Sequence, residues 1–125
     1  MSVFTERELE YLLGERRLAR VATVGADGTP HVAPVGWSYN EADDTIDIGG
    51  HDFDRTKKYR DVARSGRAAV VIDDTAPPRI PRGVEVRGRA EALDDPPRIR
   101  IHPQRVVSWG IESDVRGVRH ARTVS

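Results

Sequence analysis

The chain has no cysteine. Disulfides and thiolate-bound metals are therefore excluded, and a reducing compartment is the natural setting. It also lacks an excess of either charge, with 20 Lys plus Arg against 20 Asp plus Glu. A protein built to coat nucleic acid or an anionic membrane draws its affinity from a basic surplus, which is missing here. Aromatic residues make up 6% of the chain, too few for the stacking platforms of a single-strand reader. No apolar run approaches the ~20 residues that cross a bilayer, and the charged stretch from Met1 to Glu10 has no apolar core for a signal peptide. These absences predict a soluble, cytoplasmic protein that binds neither nucleic acid nor membrane.

Catalytic groups are scarce too. The histidines (His31, His51, His102 and His120) show no ligand spacing and no accompanying carboxylate pair, so no metal is expected. Ser38 and Ser108 lack the His and Asp partners that would mark a nucleophile.

The 125 residues suffice for one domain. Thr5-Glu6-Arg7-Glu8 is a capping-box signature, with Leu9, Leu12 and Leu13 at helical spacing and Gly14 as the stop. From Leu18 the period changes. Leu18 to Val24 reads as a strand, Gly25 to Gly28 as a hairpin turn, and Thr29 to Tyr39 as the returning strand. Thr45 to Ile48 completes an antiparallel meander. Phe53 to Ser65 reads as a helix with Asp54 as N-cap and Gly66 beyond its end.

Ala68 to Ile72 is a short apolar run suited to a central strand, and Asp73 to Gly83, with three prolines, reads as a loop. Val84 to Ala92 alternates cleanly between apolar and charged residues. Ile99 to Ile101 and Arg105 to Trp109 supply one or two last strands split by Pro103. The pattern predicts a mainly β, six-stranded antiparallel Greek-key barrel over residues 1–110, with an N-terminal and an inserted helix; 111–125 is expected to be a frayed tail.

Arg55, Thr56, Lys57 and Lys58 crowd cations at the start of the inserted helix, where the dipole already disfavours them. A phosphate relieves that conflict; a solvated face balanced by Asp52, Asp54 and Asp61 is the alternative. Pro34, Val35, Gly36 and Trp37 lie in a Gly- and Pro-rich strand against which a flat ring fits, or which is an irregular edge strand with one core aromatic.

Leu18 to Val24, followed by Asp27-Gly28-Thr29-Pro30-His31-Val32, resembles the first hairpin of the pyridoxamine 5′-phosphate oxidase-like split barrels. Thr56 to Val62, leading into Arg67 to Asp73, resembles their phosphate-binding turn, helix and central strand. Gly83 to Leu93 and Ile99 to Gly110 are most similar to the actinobacterial branch that uses the deazaflavin coenzyme F-420.

The resemblance implies a split-barrel homodimer with two cofactors at its interface, and hydride transfer to a small electron-poor substrate. The implied cofactor is F-420, with FMN as the alternative; a non-catalytic cofactor-binding barrel is the further one. Lys58 matches the family's phosphate lysine, with Thr56, Arg55 and Lys57 alongside, and Pro34 to Gly36 match the stretch that passes the ring. Trp37 or Trp109 would wall the pocket, and Arg79 or Arg82 would meet an acidic cofactor tail. Ala33 stands where the true oxidases carry an arginine, and the connection between Leu93 and Ile99 is shorter than the family's usual one.

Overall fold

The computed structural model describes residues 1–112 and 118–125. Helix α1 spans Glu6–Leu13 and starts as its sequence dictates. The Thr5 hydroxyl accepts from the Glu8 amide at 3.1 Å, while the Thr5 amide donates to the Glu8 carboxylate at 3.0 Å.

Strands β1 (Leu18–Val24), β2 (Pro30–Asn40) and β3 (Thr45–Gly49) form the expected meander. The first turn closes through a Gly28 amide bonded to the Gly25 carbonyl at 2.9 Å. Gly28 sits at φ 87°, a conformation that a side chain would strain. A 3-10 turn (Phe53–Arg55) and helix α2 (Lys57–Ser65) follow. The N-cap of α2 is Thr56, not Asp54: its hydroxyl accepts from the Tyr59 amide at 3.3 Å and donates to the Phe53 carbonyl at 2.7 Å. The tight turn over Phe53–Arg55 uses up the residues that helical spacing had assigned to a first helical turn.

The stretch read as a loop from Asp73 to Gly83 is mostly strand. β4 (Arg67–Ala76) and β5 (Ile80–Leu93) pair as a long hairpin down to Ala76 opposite Ile80. Of the three prolines only Pro77 and Pro78 lie in the turn, and Pro81 is accommodated near the start of β5. β6 (Arg98–Trp109) is likewise one strand rather than two. Pro103 is absorbed where the register slips between Arg87 and Gly88. A Cβ on Gly88 would lie 1.9 Å from the His102 carbonyl oxygen, so only glycine lets the two backbones approach there.

The strand order is β3-β2-β1-β4-β5-β6, and β3 closes onto β6 through Ile46 opposite Ile101 and Ile48 opposite Ile99. The result is a closed six-stranded antiparallel barrel of Greek-key connection, as the pattern predicted. Alternation puts Val21, Ile46, Ile48, Val70, Ile72, Val84, Val86, Ile99 and Ile101 inside, each at most 1% exposed. Each such side chain contributes about 1.5–3 kcal/mol of burial. Helix α2 lies over the barrel beside β1 and β5, with Val62 buried and the Ala90 amide bonded to the Gly66 carbonyl at 2.8 Å.

The C-terminal segment departs from the frayed tail expected over 111–125. Arg119–Thr123 form a further strand, β7, paired with β6; residues 113–117 lie outside the described set. The segment has no apolar periodicity because ladder bonds and one ion pair hold it. Arg122 reaches the fully buried Glu8 carboxylate at 2.6 and 3.1 Å, which also accepts from the Ser108 hydroxyl at 2.7 Å. Among the described residues no helix is long and apolar enough to cross a membrane.

Candidate cofactor site

The start of α2 faces the β1–β2 hairpin across a pocket of about 140 Å³ lined by Val21, Thr23, His31, Val32, Ala33, Lys57 and Lys58. Hairpin geometry explains the lining. β2 returns beside β1 with His31 opposite Thr23 and Ala33 opposite Val21, and α2 crosses above them. Lys57 and Lys58 are the only lysines in the chain.

The two lysines are not equivalent. Lys57 donates to Asp61 at 3.1 Å, one helical turn on. Asp61 is buried, at 2% exposure. Burial pushes its carboxyl up, but hydrogen bonds from Lys57, Thr23 and Arg64 win and hold it below the usual range. The Asp27 carboxyl is lowered too, mainly by the Thr29 amide, with Lys57 adding a smaller pull through its charge. Lys57 is thus neutralised by its neighbours. Lys58 has no carboxylate within ion-pair reach among the described residues; its ammonium sits 5.4 Å above the Phe53 ring. Arg55 is exposed on the 3-10 turn, also without an acidic partner among the described residues. Thr56 spends its hydroxyl on the cap, and the Lys57 and Lys58 amides remain as open donors of the first turn.

His31 joins this group although its spacing gave no reason to single it out. A Cβ on buried Gly25 would lie 3.0 Å from His31 Nε2 and 3.4 Å from Lys57 Nζ, so imidazole and ammonium converge over a spot kept free by a glycine. The available signal was its position, two residues into the strand that returns past α2.

The four strand residues divide by face. Pro34 and Gly36 are exposed on the outer side of β2 with Val32, whereas Val35 is half-buried and Trp37 fully buried on the inner side. Trp37 donates its indole N–H to the Arg17 carbonyl at 2.7 Å. It is one of the residues bordering a second, open trough of about 450 Å³ that includes Gly36, Gly49 and Gly50. Trp109 lies on the far side of the barrel across Gly83, with Arg119 over its ring. Arg82 is bound by Asp74 at 2.7 Å and stacks on Tyr11, away from α2.

The arrangement sets cations and open amides near the strand whose outer face carries Val32, Pro34 and Gly36. From Val32 to Gly36 that face is a track of about 13 Å at strand rise. It suits a ligand with an anionic group at one end and a flat body along the strand. Phosphate fits the anionic end: the pocket holds a tetrahedral group, and Lys58 is an ammonium that no carboxylate satisfies. Among the described residues no group of three or more His, Asp or Glu is placed to hold a metal.

Residues 5–113 match the family model described as pyridoxamine 5′-phosphate oxidase. The chain is 41% identical over 134 residues to a 5a,11a-dehydrotetracycline/5a,11a-dehydrooxytetracycline reductase of Streptomyces rimosus, covering 98% of this chain and 94% of the relative. Among solved structures it is similar to a conserved hypothetical protein of Mycobacterium tuberculosis, with TM-score 0.70, 20% identity and 86% of each chain covered. A FAD-binding protein of Mesorhizobium loti has TM-score 0.65 and 21% identity over 84% of this chain and 93% of its own. An F-420 reductase has TM-score 0.60 and 22% identity over 78% of this chain and 94% of its own. At these identities the three solved structures share the fold.

Proposed function

The chain belongs to the pyridoxamine 5′-phosphate oxidase family and is an oxidoreductase; from that premise we propose that it uses reduced coenzyme F-420 for hydride transfer to a small electron-poor substrate. The observation that carries the reading is the ammonium of Lys58, without a carboxylate partner among the described residues, at a pocket that it lines together with Lys57, His31 and Val32. Lys58 is the principal phosphate ligand, helped by Arg55 and by the open amides of Lys57 and Lys58. Lys57, held by Asp61, shapes the pocket more than it binds. Pro34 supports the ring system from outside the barrel, with Gly36 at the ring's far edge, and Val35 and Trp37 hold the strand from within.

Hydride is what a reduced deazaflavin supplies when bound; the protein's part is to fix the ring's position and keep water from it. The Streptomyces relative is named for the reduction of a dehydrotetracycline, and the same class, a polycyclic dehydro compound, is the substrate proposed for this chain.

A second copy completes the site in this reading. Leu18, Val24 and Val32 are 68%, 45% and 72% exposed on the outer face of β1 and β2, beside the proposed ring track. A dimer formed over this face removes that apolar surface from water.

The test is calorimetric titration of F-420 and FMN, and of their phosphate-free counterparts, followed by anaerobic mixing of the reduced coenzyme with a dehydro substrate. F-420 is expected to bind more tightly than FMN, to lose at least about tenfold in affinity without its phosphate, and to be reoxidised by substrate. Preference for FMN would move the assignment to flavin chemistry. Equal affinity without the phosphate would refute the Lys58 site.

A further inference from the structure

We infer that the trough beside Gly36 is the acceptor site and that it selects planar, polycyclic substrates carrying a negative charge, which Arg16 and Arg98 hold. The inference rests on the hydride-transfer reading and goes further by naming the substrate's shape and charge. The trough, about 450 Å³, lies at the Gly36 end of the β2 track, opposite the Lys58 end. Its lining comes from four parts of the chain: the connection before β1, which supplies Arg16, then β2, the end of β3, and the turn leading into β6, which barrel closure brings beside β3.

Two of the lining residues are arginines without a carboxylate partner among the described residues. Arg16 is exposed, and its guanidinium stands 5.6 Å from the Trp37 ring centroid. Arg98 donates from one terminal nitrogen to the Asp94 and Pro96 carbonyls, at 3.0 and 2.7 Å, which leaves its other nitrogens open. The one acid in the lining, Asp47, is already matched: Arg100 binds both its oxygens, at 3.1 and 3.0 Å, and Asn40 and Thr45 also donate to it. The trough therefore carries an unneutralised positive charge. Arg17, Arg82, Arg87, Arg100 and Arg122 are paired with carboxylates, whereas among the described residues Arg16 and Arg98 have no such partner. Two guanidiniums without a carboxylate at one cavity offer their donors to an anion.

The floor sets the shape. Gly36 and Gly49 face each other across β2 and β3, and Gly50 follows. None of the three has a positive φ. A Cβ on Gly36 would meet only the Gly49 carbonyl, at 3.6 Å, and one on Gly49 only the Pro97 carbonyl, at 3.9 Å. Neither backbone conformation nor internal packing requires glycine there, so what its absence of side chain provides is open space above the sheet. With Pro96 and Pro97 beside it, the space suits a flat fused-ring body.

The test needs no coenzyme. Anthraquinone-2-carboxylate and its neutral carboxamide are titrated by calorimetry into the wild type, into the double variant Arg16→Gln/Arg98→Gln, and into Gly36→Val, each checked for an unchanged melting temperature. The carboxylate is expected to bind the wild type about tenfold more tightly than the carboxamide. The double variant is expected to bring that ratio close to one, and Gly36→Val to weaken both ligands. Val is favoured in strands, so the last variant keeps the fold. Equal affinity of the two ligands for the wild type, a preference that survives loss of both arginines, or binding unaffected by Gly36→Val would each overturn the inference. Failure of F-420 to bind would instead remove the proposed function and leave the trough's charge preference measurable by itself.

Discussion

Two acidic residues each collect cations in this protein, and the collections end differently. Asp74 takes Arg17 at 3.1 Å and Arg82 at 2.7 Å and accepts from the Tyr11 hydroxyl at 2.8 Å, so both cations are matched. Asp61 takes Lys57 and Arg64, and the adjacent Lys58 and Arg55 stay outside the arrangement. The first cluster ties α1, the β4–β5 hairpin and the start of β1 together. The second leaves surplus charge beside a pocket. In the proposed reading, the saturated cluster holds the fold and the surplus charge beside the pocket receives the ligand.

Breaking saturated pairs should therefore cost stability, with the largest effect at the most buried one. Arg122→Ala leaves the Glu8 carboxylate at 0% exposure with only Ser108 and the Thr5 amide as donors. A loss of about 3 kcal/mol in urea unfolding is expected, without change in coenzyme affinity.

Asp74→Asn comes next. The Arg82 hydrogen bond, against some opposing burial and with help from Tyr11 and Arg17, brings the Asp74 carboxyl down to about 2 from its ordinary 3.8. A carboxyl lowered by folding stabilises the protein at every pH above its unfolded value, and that contribution fades as pH falls through the folded one. The variant should be less stable at pH 7 by on the order of 2 kcal/mol. The gap to the wild type should close between about pH 4 and pH 2 in denaturation series. A gap that stays constant over this range would mean the cluster does not act through Asp74's charge.

The smallest effect sharpens the comparison from the other side. Lys57→Ala removes a half-exposed cation that Asp61 already neutralises. Coenzyme affinity should change by no more than about threefold and stability by about 0.5 kcal/mol, read by calorimetry and thermal melting.

Much of the fold was legible because its signals are local. The Thr5/Glu8 box, the Gly25–Gly28 turn and the alternation from Val84 to Ala92 each announce their structure within a few residues. Proline misleads where it is read as a stop. Pro81 sits in β5, and Pro103 passes because the slip opposite Gly88 takes it out of the regular ladder. β7 was illegible, since its hold on the barrel comes from a residue more than a hundred positions away.

The site was legible by halves. The cationic turn stood out in sequence, and the i,i+4 spacing of Lys57 and Asp61 already hinted that one lysine is engaged. That Asp27 also leans on Lys57, and that His31 shares the pocket, depends on how the β1–β2 hairpin meets α2. Period-two alternation would have placed Trp37 on the inner face, opposite Pro34 and Gly36. Arg16 and Arg98 meet at one trough only because the barrel closes.

The most direct measurement compares the affinity of F-420 for the wild type and for Lys58→Ala, with melting temperatures recorded on the same samples. A fall of about tenfold or more, worth at least ~1.4 kcal/mol, with an unchanged melting temperature is the predicted result. An affinity within about a factor of two of the wild type, in a variant that folds equally well, would contradict the claim that this unpaired ammonium receives the phosphate.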